Sequence, residues 1–394
     1  MKRYTACVFV GVCVFLCLPA CVLLCLPACG DSEPINDDAF DPDELGDDDA
    51  GGGLSSVDPA GLTQHDPKLQ DLYDELDFYD YLEFEPVRVG KGAAGYTNYY
   101  YDKEDFRCYN GRQAHVAVRP GKENTVMFFM EGGGASWPGG GFAVQINYPF
   151  DISYRSRVPQ NPLRDWTFVY VPYCDNSIHS GDNVMKVKGR TRYFQGLRHT
   201  AAAVALTKKL FPDAEKVLVT GASAGGMGTY LAWVITKSQY PDTDTYVLSD
   251  SGMGFWNPND LETWNVINDA WALRMPSACA RCDSTVQTWL FDLYLDLDPQ
   301  VRIGMFTAYQ DVIMSNFFLK MSGPDYEKAV MAITNQIKAA HPRRFGRFFI
   351  EGRTHTSYEF ILPPGPRVEV EDTSLFEWIG QLVNDDPAWV DRLE

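Results

Sequence analysis

The chain has 394 residues, of which 45% are hydrophobic, and carries 53 acidic against 34 basic side chains, a formal charge of −19. That much apolar material excludes a wholly disordered chain, and the acidity excludes recognition through a broadly basic surface, as nucleic acid would require. The charge is uneven: residues 31–85 hold 19 acidic residues and only Lys68 in return, whereas residues 86–394 hold 34 acidic against 31 basic with no basic cluster beyond Arg343-Arg344.

In chain order, Met1-Lys2-Arg3 leads into an apolar run from Ala6 to Ala28, the pattern of a secretory signal rather than a membrane span. The run ends in Leu26-Pro27-Ala28-Cys29-Gly30, which reads as a bacterial lipobox with Cys29 as the lipidated mature N-terminus. A competing copy ends at Cys21 but is followed by more apolar residues, and a retained N-terminal anchor is the alternative to cleavage. Residues 29–67 lack the apolar area to offset ordering entropy, so a disordered acidic tether is expected there. The expectation is an exported lipoprotein of the cell envelope, held at the membrane by its lipid. Residues 68–94 form an aromatic lead-in, and 95–394 a single large domain.

Within that domain, residues 96–118, with Asn110-Gly111 at a turn, predict an antiparallel opening. Near-continuous apolar runs at 125–130, 166–171, 216–220, 245–249, 301–306 and 347–350 predict buried strands of a mostly parallel sheet. Helical patterns fill the gaps at 191–211, 227–237, 284–294, 326–340 and 374–383. Such alternation predicts a doubly wound α/β sheet with helices on both faces.

The strand at 216–220 runs into Gly221-Ala222-Ser223-Ala224-Gly225-Gly226, the pattern of a nucleophile elbow. A serine on that turn needs glycine at 221 and 225, because neighbouring backbone passes too close for a side chain. A hydroxyl is a poor nucleophile without a base, and the base needs a carboxylate to orient it. Only His341 and His355 follow Ser223. His355 lies in a polar loop past a predicted strand, whereas His341 closes a helix before Pro342, so His355 is the expected base. Asp311, after the penultimate strand, is the expected acid, with Asp250 and Asp298 as alternatives. Acyl transfer also needs donors for the developing oxyanion, worth roughly 3–4 kcal/mol each. The amide of Ala224 is one. Glu131-Gly132-Gly133-Gly134, following the strand at 125–130, supplies others at Gly133 and Gly134. Trp137 and His179 are candidates for the pocket mouth.

Six of the ten cysteines precede residue 30, leaving Cys108, Cys174, Cys279 and Cys282. An exported chain favours disulfides; 279 with 282 and 108 with 174 is one of three pairings, and a zinc site on Cys279-Ala280-Arg281-Cys282 is the rival.

Met130-Glu131-Gly132-Gly133-Gly134, Val171-Pro172-Tyr173-Cys174-Asp175-Asn176, Ser180-Gly181-Asp182 and the elbow together resemble the pectinacetylesterase family, which includes the Notum carboxylesterases. The resemblance spans most of residues 95–360. It implies an α/β-hydrolase fold and a serine esterase that uses no cofactor or metal and removes acetyl or longer acyl groups from a carbohydrate or protein. It also implies Ser223, Asp311 and His355 as triad, Gly133, Gly134 and Ala224 as oxyanion donors, and the pairing of Cys108 with Cys174. Two positions depart from the family pattern: Ala222 stands where many relatives have cysteine, and Gly134 where a bulky aromatic often follows the two glycines.

Overall fold

The apolar, β-branched and aromatic runs become strands because their side chains alternate between two buried faces of one pleated surface. The computed structural model describes residues 67–145, 159–282, 285–357 and 368–394; the expected signal, Cys29 and all of the tether but Pro67 lie outside these residues. The strands are β1 (Pro86–Lys91), β2 (Thr97–Tyr101), β3 (His115–Arg119), β4 (Thr125–Met130), β5 (Gly134–Trp137), β6 (Gly140–Ala143), β7 (Thr167–Val171), β8 (Asn183–Val187), β9 (Arg190–Phe194), β10 (Lys216–Ala222), β11 (Asp244–Asp250), β12 (Arg302–Ala308), β13 (Phe345–Ile350), β14 (Glu369–Val370), β15 (Thr373–Ser374) and β16 (Arg392–Leu393). The helices are α1 (Pro67–Leu76), α2 (Tyr79–Leu82), α3 (Gly196–Leu210), α4 (Ala224–Gln239), α5 (Leu261–Trp271), α6 (Trp289–Leu297), α7 (Gly323–Ala340) and α8 (Leu375–Val383).

Among the described residues, ten strands form the central sheet in the order β1-β2-β3-β7-β4-β10-β11-β12-β13-β16. The first three pairings are antiparallel and all from β7 onward are parallel, giving the α/β-hydrolase-like fold expected from the sequence. Side chains of β4 alternate: Val126, Phe128 and Met130 enter one core with α1, α3, α4, α6 and α7, while Met127 and Phe129 enter the other with Trp378 and Leu382 of α8. Each large apolar side chain so buried contributes about 1.5–3 kcal/mol. The lead-in belongs to the first core, through Leu69, Leu72, Tyr73 and Leu76 of α1.

Two expectations need correction. The helix expected from residue 191 begins only at Gly196, because 190–194 pairs with β8 as an antiparallel hairpin. Lys188 and Gly189 both have positive φ at its two-residue turn, the backbone that matches the twist of the strands; the Lys-Gly pair was the overlooked signal. The helix expected over 284–294 is α6, displaced to Trp289–Leu297, and the Thr288 hydroxyl just before it donates to the Gly254 carbonyl at 3.1 Å.

The chain leaves β4 toward one edge of the sheet, into β7, and leaves β10 toward the other, into β11. Between these two strands the order reverses, which opens a crevice beyond their C-terminal ends where ligands of open α/β sheets bind. At its floor, a β-carbon on Gly225 would meet the Met130 carbonyl oxygen, and one on Gly221 would meet the Gly225 carbonyl. Gly225→Ala is therefore expected to cost at least about 1–3 kcal/mol and to lower the thermal midpoint. Gly90→Ala, whose added carbon would have Tyr100 as its nearest atom at 3.6 Å, should leave the midpoint nearly unchanged. Equal midpoints for the two variants would contradict the close approach at the elbow.

Candidate active site

Ser223 sits between β10 and α4 with φ 55° and ψ −121°, in the left-handed region that costs a non-glycine residue about 1–3 kcal/mol. The strain is held by bonds on both sides of the turn. The Ser223 amide donates to the Asp250 carbonyl at 2.8 Å, and the Ser223 carbonyl accepts from the Met227 amide at 3.0 Å. Strand and helix so fixed present the hydroxyl to the crevice.

His355 comes from the segment after β13. Its Nε2 lies 2.8 Å from Ser223 Oγ, and its Nδ1 lies 3.0 and 2.9 Å from the two oxygens of Asp311. A carboxylate only accepts, so Nδ1 carries the proton and Nε2 presents a lone pair to the serine hydroxyl. Asp311 follows β12 and is fully buried; its Oδ1 also accepts from the Ile313 and Met314 amides at 2.9 and 3.0 Å. It thus caps the π-helical turn Ile313–Phe318 while it orients the imidazole. The two loops are joined along their backbones: the amides of Tyr309, Gln310 and Val312 donate to the carbonyls of Ile350, Gly352 and Arg353 at 2.9, 3.1 and 3.1 Å.

The other candidates fall elsewhere. His341 caps α7 with Nε2 3.1 Å from Asp292, and Asp298 pairs with Lys237 at 3.0 Å. Asp250 is buried at the end of β11, where its carboxylate accepts from Ser357. Trp137 lines the cavity that opens on Ser223. His179 does not: it is fully buried, and its Nε2–H donates to the Glu131 carbonyl at 2.8 Å. Burial pushes its pKa down, so it stands as a neutral prop beneath the glycine loop. The Tyr173 hydroxyl adds a bond of 2.5 Å to the Gly134 carbonyl. Sequence reasoning missed this support because the props lie 39 and 48 residues from the loop positions they hold.

In the loop itself, the Gly132 amide is occupied by Glu131 Oε1 at 3.1 Å. The Gly133 amide has no acceptor among the described residues, and Ala224 opens α4, where an amide lacks an intrahelical partner. Gly133, Gly134 and Ala224 line the same cavity as Ser223 and His355. Cys108 is joined to Cys174 and Cys279 to Cys282. The first bridge ties the loop before β3 to the β7–β8 connection that carries Tyr173 and His179.

Burial raises the Asp311 carboxyl above its ordinary value, outweighing the His355 contact and the two amides that pull it down. A raised folded pKa means that the group's contribution to stability is complete below the unfolded value of about 3.9 and is lost as pH rises through the folded one. Asp311→Asn never ionises. Its thermal midpoint should therefore gain on the native protein as pH rises above about 4. A midpoint difference that falls with rising pH would contradict burial as the dominant cause.

The pectinacetylesterase family model matches residues 149–281, in accord with the resemblance carried by the motifs. The matched stretch holds Cys174, Tyr173, His179 and Ser223 but neither Asp311, His355 nor the glycine loop, whose meeting with Ser223 is seen only in three dimensions.

Proposed function

We propose that this pectinacetylesterase-family chain is a serine ester hydrolase in which Ser223 attacks an acyl ester, His355 is general base and then general acid, and Asp311 orients and stabilises the imidazolium. The observation that carries the reading is the continuous line of hydrogen bonds from Asp311 through His355 to Ser223 at the crevice of the sheet. His355 Nε2 takes the serine proton as Oγ bonds to the carbonyl carbon. The tetrahedral oxyanion is received by the Ala224 amide, aided by the positive end of the α4 dipole, and by the amides of Gly133 and Gly134. Collapse expels the alcohol, which takes the proton from Nε2, and water repeats the cycle on the acyl-enzyme. Removing the nucleophile should cost about 10⁴-fold or more in kcat. Ser223→Ala assayed on a p-nitrophenyl ester tests this, and unchanged turnover in the variant, or none in the native protein, would defeat it. The second of these outcomes fits a catalytically silent carbohydrate-binding protein on the same fold.

The family suggests an acetyl ester on a carbohydrate as substrate. The cavity favours a second reading on the acyl side, nearer to a lipase or polyester depolymerase. Its volume is about 1260 Å³, above the roughly 300–1,000 Å³ usual for small-molecule sites, and Trp137, Val144, Val266, Ile313, Met314 and Phe318 line it. An acetyl group fills little of that space, and each further buried CH₂ is worth about 0.8 kcal/mol. On this reading kcat/KM rises from p-nitrophenyl acetate to medium-chain esters; a steady decline with chain length would leave the acetyl reading alone.

We further propose export and lipidation at Cys29, as the lipobox suggests. Metabolic labelling with palmitate in a bacterial host should mark the native chain and Cys21→Ser but not Cys29→Ser. Label retained in Cys29→Ser would move or remove the anchor.

A further inference from the structure

We propose that Asp250 is a positioning residue that ties the base-bearing loop to the nucleophile elbow. The inference rests on the reading of Ser223 and His355 as nucleophile and base, and adds to it a residue which that reading does not use.

β10 and β13 are three strands apart, about 14 Å at the usual spacing. His355 must cross that distance from the end of β13 to reach Ser223 at the end of β10. Asp311, at the end of β12, holds the imidazole itself. The remaining strand end on the route is that of β11, and Asp250 occupies it. Its main chain and side chain face opposite partners. The carbonyl oxygen accepts the Ser223 amide at 2.8 Å. The carboxylate accepts the Ser357 amide, at 3.1 Å to Oδ1 and 3.3 Å to Oδ2, and also the Ser357 hydroxyl.

Asp250 and Ser357 are both fully buried. A buried carboxylate with charge-assisted bonds from two donors of one residue fixes that residue more firmly than a neutral contact would. Ser357 lies only two residues past His355, so its position limits where the imidazole can go. One side chain thereby sets the base loop against the same strand end that holds the nucleophile's amide.

The test compares Ser357→Ala, Ser357→Thr and Asp250→Asn with the native protein and Ser223→Ala, in the full chain, on one p-nitrophenyl ester. Asp250→Asn turns an acceptor oxygen into a donor facing the donors of Ser357. It should lower kcat roughly 100-fold, the scale of a displacement of about 1 Å at a reacting group. Ser357→Ala should lower kcat roughly 10-fold, and KM should stay within about twofold in both. Ser357→Thr, which keeps the hydroxyl, should recover most of the loss. A purely structural role would change the thermal midpoint without this split between kcat and KM or this rescue.

Hydrogen exchange of the amides of residues 351–357 gives a readout independent of turnover, and it should quicken in Asp250→Asn. If that variant does not fold, the Ala and Thr variants of Ser357 decide the matter. Native kcat and native exchange in the Ser357→Ala and Asp250→Asn proteins would overturn the proposal alone, provided Ser223→Ala is inactive in the same assay. Undiminished turnover in Ser223→Ala would overturn the reading of the site and this proposal with it.

Discussion

The close approach of β4 to β10 at their C-terminal ends is the constraint on which the candidate site depends. The Met130 carbonyl occupies the space that a side chain at 225 would need. Glycines at the elbow allow that contact, and the contact brings the glycine loop after β4 and the serine after β10 to the walls of one cavity. Moving either strand end outward by the width of a methyl group would part the glycine loop, whose Gly132 abuts Ala222 and Ser223, from the elbow. The strained backbone at Ser223 survives because the Asp250 carbonyl on one side and the first turn of α4 on the other hold it.

The same crevice concentrates buried polar groups that would destabilise an ordinary core. Asp311 is buried, with its charged form disfavoured, and Asp250 is buried one strand away. Each is accepted because several donors converge on it: two amides and an imidazole on Asp311, an amide and a hydroxyl on Asp250. His179 supports the glycine loop in a related way, neutral because burial disfavours its charge. Strand ends carry this arrangement well. Backbone partners run out there, and a rigid sheet fixes where the side chains begin.

Much of the fold was legible in the sequence. Six apolar runs became buried parallel strands because a strand covered on both faces must be apolar throughout, and length separates such runs from helices. The hairpin β8–β9 was not legible as such, since Arg190 to Phe194 adjoins the periodic stretch of α3 and the turn at Lys188-Gly189 is a single weak signal. Of the site, the elbow and glycine loop were readable as local patterns. That His355 rather than His341 lies against Ser223 was readable too, because one lies in a loop past a strand and the other at a helix end.

What the sequence by itself determined was the chemistry on offer: a serine between glycines, a later histidine in a polar loop, several carboxylates, and glycine amides after an earlier strand. Only the tertiary structure shows which carboxylate meets the imidazole. Asp250, Asp298 and Asp311 each adjoin a strand, yet Asp311 alone points at the imidazole, Asp250 turns to Ser357 and Asp298 to Lys237. The reason is that local sequence fixes which groups lie at strand ends, whereas the order of the strands in the sheet fixes which ends are neighbours. That order is set by the packing of distant segments and by burial that no short window of residues contains.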